Sequence, residues 1–150
     1  MAGWIHDALV VGDASAWLWR FSQSFFDDDN EGLVALKDGQ RTKRMYALGN
    51  YSRFVRPGYV RVEVAGPIPD GVEPSAFLGP DGTVVVVAIN STKANVDVPI
   101  SISGGLAPAS MAQWRTSVQD DLEPYTAVAV SDGTFMASLP PVSITTFVGE

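Results

Sequence analysis

Val84-Val85-Val86-Val87-Ala88-Ile89 is the stretch on which the fold turns, six consecutive apolar residues of which five are β-branched. So short a run, so rich in valine, suits a strand rather than a helix. Because it has no polar side, it suits a strand covered on both faces. Around it, β-prone segments recur at residues 59–64, 75–78, 84–90, 95–102, 111–117, 127–130, 134–139 and 143–148. Between them sit turn-forming clusters: Pro67-Ile68-Pro69-Asp70-Gly71, Gly79-Pro80-Asp81-Gly82, Gly104-Gly105 and Ser131-Asp132-Gly133. Short strands punctuated in this way predict a mainly β fold, an antiparallel β-sandwich.

The texture upstream is different. Residues 2–11 carry Trp4, Ile5, Ala8 and Leu9 at helical spacing, with Gly12 as a stop. Residues 15–21 alternate, Trp17, Trp19 and Phe21 to one side and Ala16, Leu18 and Arg20 to the other, which predicts a strand. After a polar loop and the short apolar run at 33–36, residues 41–55 place Leu48, Tyr51 and Val55 on one helical stripe until Pro57-Gly58 breaks it. The expected organisation is a short α/β lead over residues 1–56 and a sandwich over 57–150.

Composition narrows the classes. With 150 residues the chain can bury a real core, and 46% hydrophobic against 18% charged residues argues for a globular fold. The absence of cysteine excludes disulfides and thiolate metal sites and leaves the compartment open. The start, Met1 to Asp7, does not read as a signal peptide, and no run of about 18 apolar residues predicts a membrane helix. The net charge of −7 is unevenly spread: eight of ten Lys/Arg lie between Arg20 and Arg61, while residues 62–150 carry ten Asp/Glu against two cations. That acidic half repels phosphate, so nucleic acid is not an expected partner.

Three motifs stand out together: Thr42-Lys43-Arg44-Met45-Tyr46, then Ser52-Arg53-Phe54-Val55-Arg56-Pro57-Gly58-Tyr59-Val60-Arg61-Val62, then Leu139-Pro140-Pro141-Val142-Ser143-Ile144-Thr145-Thr146-Phe147. In combination, and over essentially the whole chain, they resemble the C-terminal part of glycoside hydrolase family 30. Members of that family join a (β/α)8 barrel to a β-sandwich side domain. The resemblance implies that residues 2–11 correspond to the seventh barrel helix, residues 16–19 to the eighth strand and residues 41–55 to the last helix, with the side sandwich following. It also implies that both catalytic glutamates lie upstream, at the ends of the fourth and seventh strands. No catalytic residue is therefore assigned here; Glu31 is the one glutamate before the sandwich. The glucuronoxylanase branch grips its substrate's acid group with Arg-x-Tyr-Gly after the eighth strand. Here that region reads Arg20-Phe21-Ser22-Gln23-Ser24-Phe25-Phe26, which departs from the pattern.

The expected function is that of a non-catalytic part of such an enzyme, with weak binding to a polysaccharide such as xylan or β-glucan, no enzyme activity of its own and a secreted parent. The alternatives are a portion that reconstitutes a hydrolase with a missing barrel half, or a self-association module. Carbohydrate-stacking candidates are Trp114, Tyr125, Tyr59, Trp17 and Trp19, each weighed against a plain core role. No cofactor is expected, but Asp27, Asp29, Glu31 and Asp38, with Gly32 between, approach a calcium-loop spacing and compete with a solvated acidic loop. His6 is expected at the surface, and Ser22 and Ser24 lack a nucleophile-elbow context. Asn50-Tyr51-Ser52 and Asn90-Ser91-Thr92 match the N-glycosylation pattern. Loss of neighbours should leave an open sheet edge and exposed barrel pieces, so homo-oligomerisation is expected through one or the other.

Overall fold

The structure, a computed structural model, describes residues 1–24, 31–106 and 108–149. It is mainly β. Eight strands build the body: β3 (Val60–Val62), β4 (Val72–Leu78), β5 (Val84–Asn90), β6 (Val96–Ser101), β7 (Ser110–Thr116), β8 (Asp121–Ala129), β9 (Thr134–Leu139) and β10 (Ser143–Gly149). Six of them form one sheet in the order β3-β4-β5-β10-β7-β8, and β6 pairs with β9 in a second sheet; every pairing is antiparallel. Ahead of them, two-residue strands β1 (Gln23–Ser24) and β2 (Val34–Ala35) form a small parallel pair.

β5 lies inside the large sheet and is buried along its whole length, as its unbroken apolar sequence requires. Its alternate residues serve two cores. Val84, Val86 and Ala88 face the small sheet and pack with Met111, Phe135, Ala137, Leu139 and Phe147. Val85, Val87 and Ile89 face the other way and pack with Ile5, Tyr51, Phe77 and Ile144 beneath the helices. On β6 and β9 the burial alternates residue by residue, as it does on strands with one wet face. The link from β8 to β9 ends in a two-residue turn between Ser131 and Thr134, in which Asp132 and Gly133 both have positive φ, +50° and +72°. Ser131 and Thr134 exchange backbone hydrogen bonds of 2.9 Å across it, a type I′ geometry that Asp-Gly favours.

Helix α1 (Ala2–His6) runs directly into a π-helical turn at Asp7–Val11, so the expected helix over 2–11 is present with a change of pitch. Helix α2 (Lys43–Ser52) lies over β7, β8 and β10. Its expected stripe is the face it buries: Tyr51 is fully packed, with Leu48, Phe54 and Val55 beside it. Thr42 precedes α2 with extended backbone, and its hydroxyl donates to the carbonyls of Gly32 and Leu33 rather than capping the helix.

One expected element is corrected. Residues 15–21 are not a strand: among the described residues pairing begins only at their end, where the Leu33 N–H donates to the Phe21 carbonyl at 3.3 Å, and no ladder runs along the rest. The alternation is still visible, since Trp17 and Trp19 stack on one side while Leu18, on the other, is 89% exposed.

Candidate functional site

The aromatic candidates fall in different places. Trp114 is half-buried on β7 beneath the end of α2, its ring 4.6 Å from that of Phe54, with the Arg53 guanidinium 5.5 Å away. Tyr59 is half-buried against the helix-side core, where a Cβ on Gly79 would come within 2.7 Å of its ring. Trp17 and Trp19 are partly covered and form a column with Trp4: centroids are 5.8 Å apart for Trp17–Trp19 and 6.3 Å for Trp4–Trp19. The Trp19 indole N–H donates to the Glu31 carbonyl at 2.7 Å, and Arg44 sits over the ring.

Tyr125 is the candidate with a free surface, 41% exposed on edge strand β8. Its hydroxyl donates to Asp120 at 2.7 Å, and the Arg115 guanidinium covers one ring face at 3.9 Å. The bond to Asp120 raises the phenol's pKa. Partial burial pushes the Asp120 carboxyl up, but hydrogen bonds from Ser117 and Tyr125, aided by the charges of Arg115 and Lys43, hold it below the usual range. Beside Tyr125, Gln113 donates to the Thr126 carbonyl. The Arg115 Nε and the hydroxyl of its cross-strand neighbour Thr145 are buried without hydrogen-bond partners. The patch therefore offers an aromatic ring, a guanidinium and a fixed carboxylate on one surface, a combination suited to sugar rings and hydroxyls. Sequence reading named Tyr125 but missed Arg115 and Asp120, which become its neighbours only through the β7–β8 pairing and its bulges.

The remaining candidates are placed as follows. Asp27 and Asp29 lie outside the described residues. The Asp38 carboxylate accepts from the Gln40 N–H at 2.9 Å, within its own turn. Among the described residues, no group of three or more His, Asp or Glu side chains is arranged to hold a metal ion. His6 is not a surface residue: next to Ile5 on the underside of α1 it is only 8% exposed, and its Nδ1 has no partner. Asn50 and Asn90 are 0% and 1% exposed, with both side-chain amides committed to hydrogen bonds. No helix among the described residues is long and apolar enough to cross a membrane.

The family model described as "Glycosyl hydrolase family 30 beta sandwich domain" matches residues 58–147, from the β3 approach to the middle of β10. The chain belongs to glycosyl hydrolase family 30. It carries the β-sandwich domain that this family model describes. It is 38% identical over 144 residues to glucuronoxylanase XynC of Bacillus subtilis (strain 168), a match covering 96% of this chain and 32% of that protein. Among solved structures, a GH30 endoxylanase from Clostridium papyrosolvens C71 superposes with a TM-score of 0.84 at 33% identity, covering 99% of this chain and 36% of the other. The family 30 xylanase Xyn30A from Clostridium acetobutylicum gives 0.86 at 28% identity, covering 99% and 37%. The chain thus spans about a third of the length of these family 30 relatives.

Proposed function

We propose that this chain is a non-catalytic portion of a secreted family 30 xylanase and that it binds plant polysaccharide, xylan or β-glucan, weakly through the surface around Tyr125. Residues 1–56 are read as the end of the barrel and 57–150 as the side domain. The observation that carries the binding reading is the exposure of Tyr125 next to Arg115, when the other sandwich aromatics considered, Trp114 and Tyr59, pack against Phe54 and the helix-side core. No catalytic carboxylate pair is assigned, since retaining hydrolysis needs two carboxyls about 5–5.5 Å apart across the sugar. Affinity electrophoresis in gels containing xylan or β-glucan tests the binding. The chain should be retarded, and Tyr125→Ala should restore free mobility while Trp114→Phe does not. Unchanged mobility of the unaltered chain in every glycan would overturn the reading. Release of reducing sugar from xylan by the chain alone would overturn the non-catalytic part.

A second reading is that the chain reconstitutes a hydrolase with the barrel portion of a family 30 enzyme. Mixing it with a polypeptide covering the rest of a family 30 barrel should then generate xylan hydrolysis that neither part shows alone.

A further inference from the structure

Glu123 stands beside Tyr125 without a counter-ion. It lies on β8 two residues from the ring, opposite Arg115 in the β7–β8 register, and it is exposed. Among the described residues no cationic nitrogen lies within ion-pair distance of its carboxylate. The two cations nearby are already engaged. Lys43 donates to the Asp121 carboxylate and to the Asp120 carbonyl. The Arg115 guanidinium lies on the Tyr125 ring with its Nε buried. Lys43 and Arg115 thus face three carboxylates, those of Asp120, Asp121 and Glu123, and the patch keeps a negative excess.

That excess is felt at the ring itself. The bond to Asp120 raises the Tyr125 phenol's pKa most, and the charges of Asp120 and Glu123 add to the rise against that of Arg115. The wider surface has the same sign, since residues 62–150 carry ten Asp/Glu against two cations. A neutral sugar brings hydroxyl donors, which a carboxylate accepts. A uronic acid at neutral pH brings a further carboxylate, which offers Asp120 and Glu123 no proton and is repelled by both. Discrimination between the two kinds of sugar therefore follows from the charges around the stacking ring, while the ring supplies the contact common to both.

On the reading that Tyr125 binds glycan, we propose that this surface selects neutral chains over uronate-bearing ones, with Glu123 setting the selectivity. Affinity electrophoresis in two matched pairs of glycans tests it. One pair is hydroxyethyl cellulose and carboxymethyl cellulose; the other is a xylan with its uronates reduced to neutral sugar and the same xylan unreduced. Retardation should be about threefold weaker or more in the acidic member, the effect of one like charge a sugar ring's width away in water. Glu123→Gln should close most of that gap. Asp70→Asn, which removes the same charge from the loop before β4, towards the other end of the sheet, should not. Equal or stronger retardation in the acidic members would overturn the selectivity and leave the binding reading standing. A gap that survives Glu123→Gln, or that Asp70→Asn closes equally well, would overturn it too, the second by making net charge the cause. No retardation in any of the four glycans would sink both the selectivity and the binding on which it rests.

Discussion

Thr146 on β10 places its hydroxyl 2.8 Å from the main-chain carbonyl of Asn50 and 2.9 Å from the Asn50 side-chain oxygen, joining α2 to the sheet across 96 residues of sequence. The Asn50 amide completes the knot by donating to Tyr46 O and to Thr116 Oγ1. All three side chains are buried.

Asn50→Ala should therefore be costly, because it leaves the buried Thr116 hydroxyl without its donor, while the Thr146 hydroxyl keeps only the main-chain carbonyl of residue 50. An unpaired buried group costs about 1–3 kcal/mol, so a loss of that order is expected. Urea unfolding should show a lower midpoint with an unchanged slope. Thr146→Val alone, which keeps the shape, should cost less.

Tyr51 makes the fold sensitive to alkali. Burial, above all, pushes its phenol from 10.0 up to about 12, against the opposing pull of the Ser75 hydroxyl and with the charges of Glu73 and Asp7 adding to the effect. Because the folded value lies above the unfolded one, the stabilisation is complete below pH 10 and is lost as pH rises towards 12. A two-unit difference is worth up to about 3 kcal/mol. Thermal melts between those limits should fall steeply for the unaltered chain and less for Tyr51→Phe. At neutral pH that variant should lose little stability, because the hydroxyl it removes lies near Ser75 without a well-formed hydrogen bond.

The pair formed by Asp120 and Tyr125 should respond to acid instead. The folded Asp120 carboxyl titrates below its unfolded value, so its contribution is present above the ordinary aspartate range and disappears as pH drops through the folded value. Asp120→Asn should abolish that dependence. It should also bring the Tyr125 phenol back towards its ordinary value, visible as an earlier step in ultraviolet tyrosine titration of the Tyr51→Phe background.

Neither sequon should carry a glycan in folded material. The Asn90 amide donates to the carbonyls of Ala94, Leu139 and Pro140, while its oxygen accepts from Thr92, leaving no nitrogen to modify. Expression in a glycosylating host followed by intact-mass measurement should give the bare polypeptide mass for the soluble fraction.

What the sequence revealed follows from where the physics is local. Residues 84–90 and 134–139 were read with their true bounds, because valine runs and period-two alternation report burial directly. β8 was read only over 127–130, since Pro124, the left-handed Leu122 and the register shifts disturb the alternation upstream. The Asn50 knot was invisible: a buried asparagine looks like any helix-surface residue until Thr116 and Thr146 arrive from distant strands. The same holds for Arg115, which reads as a solvated cation and is instead laid on Tyr125.

The large sheet is a wall shared by two rooms. Val85, Val87 and Phe77 furnish one side, and Val86, Ala88 and Phe147 the other. A chain trimmed to the 58–147 span would keep every strand of that wall while losing the roof over one side. Its helix-side valines would then stand in water, and the trimmed piece should precipitate or bind hydrophobic dyes where the longer chain does not.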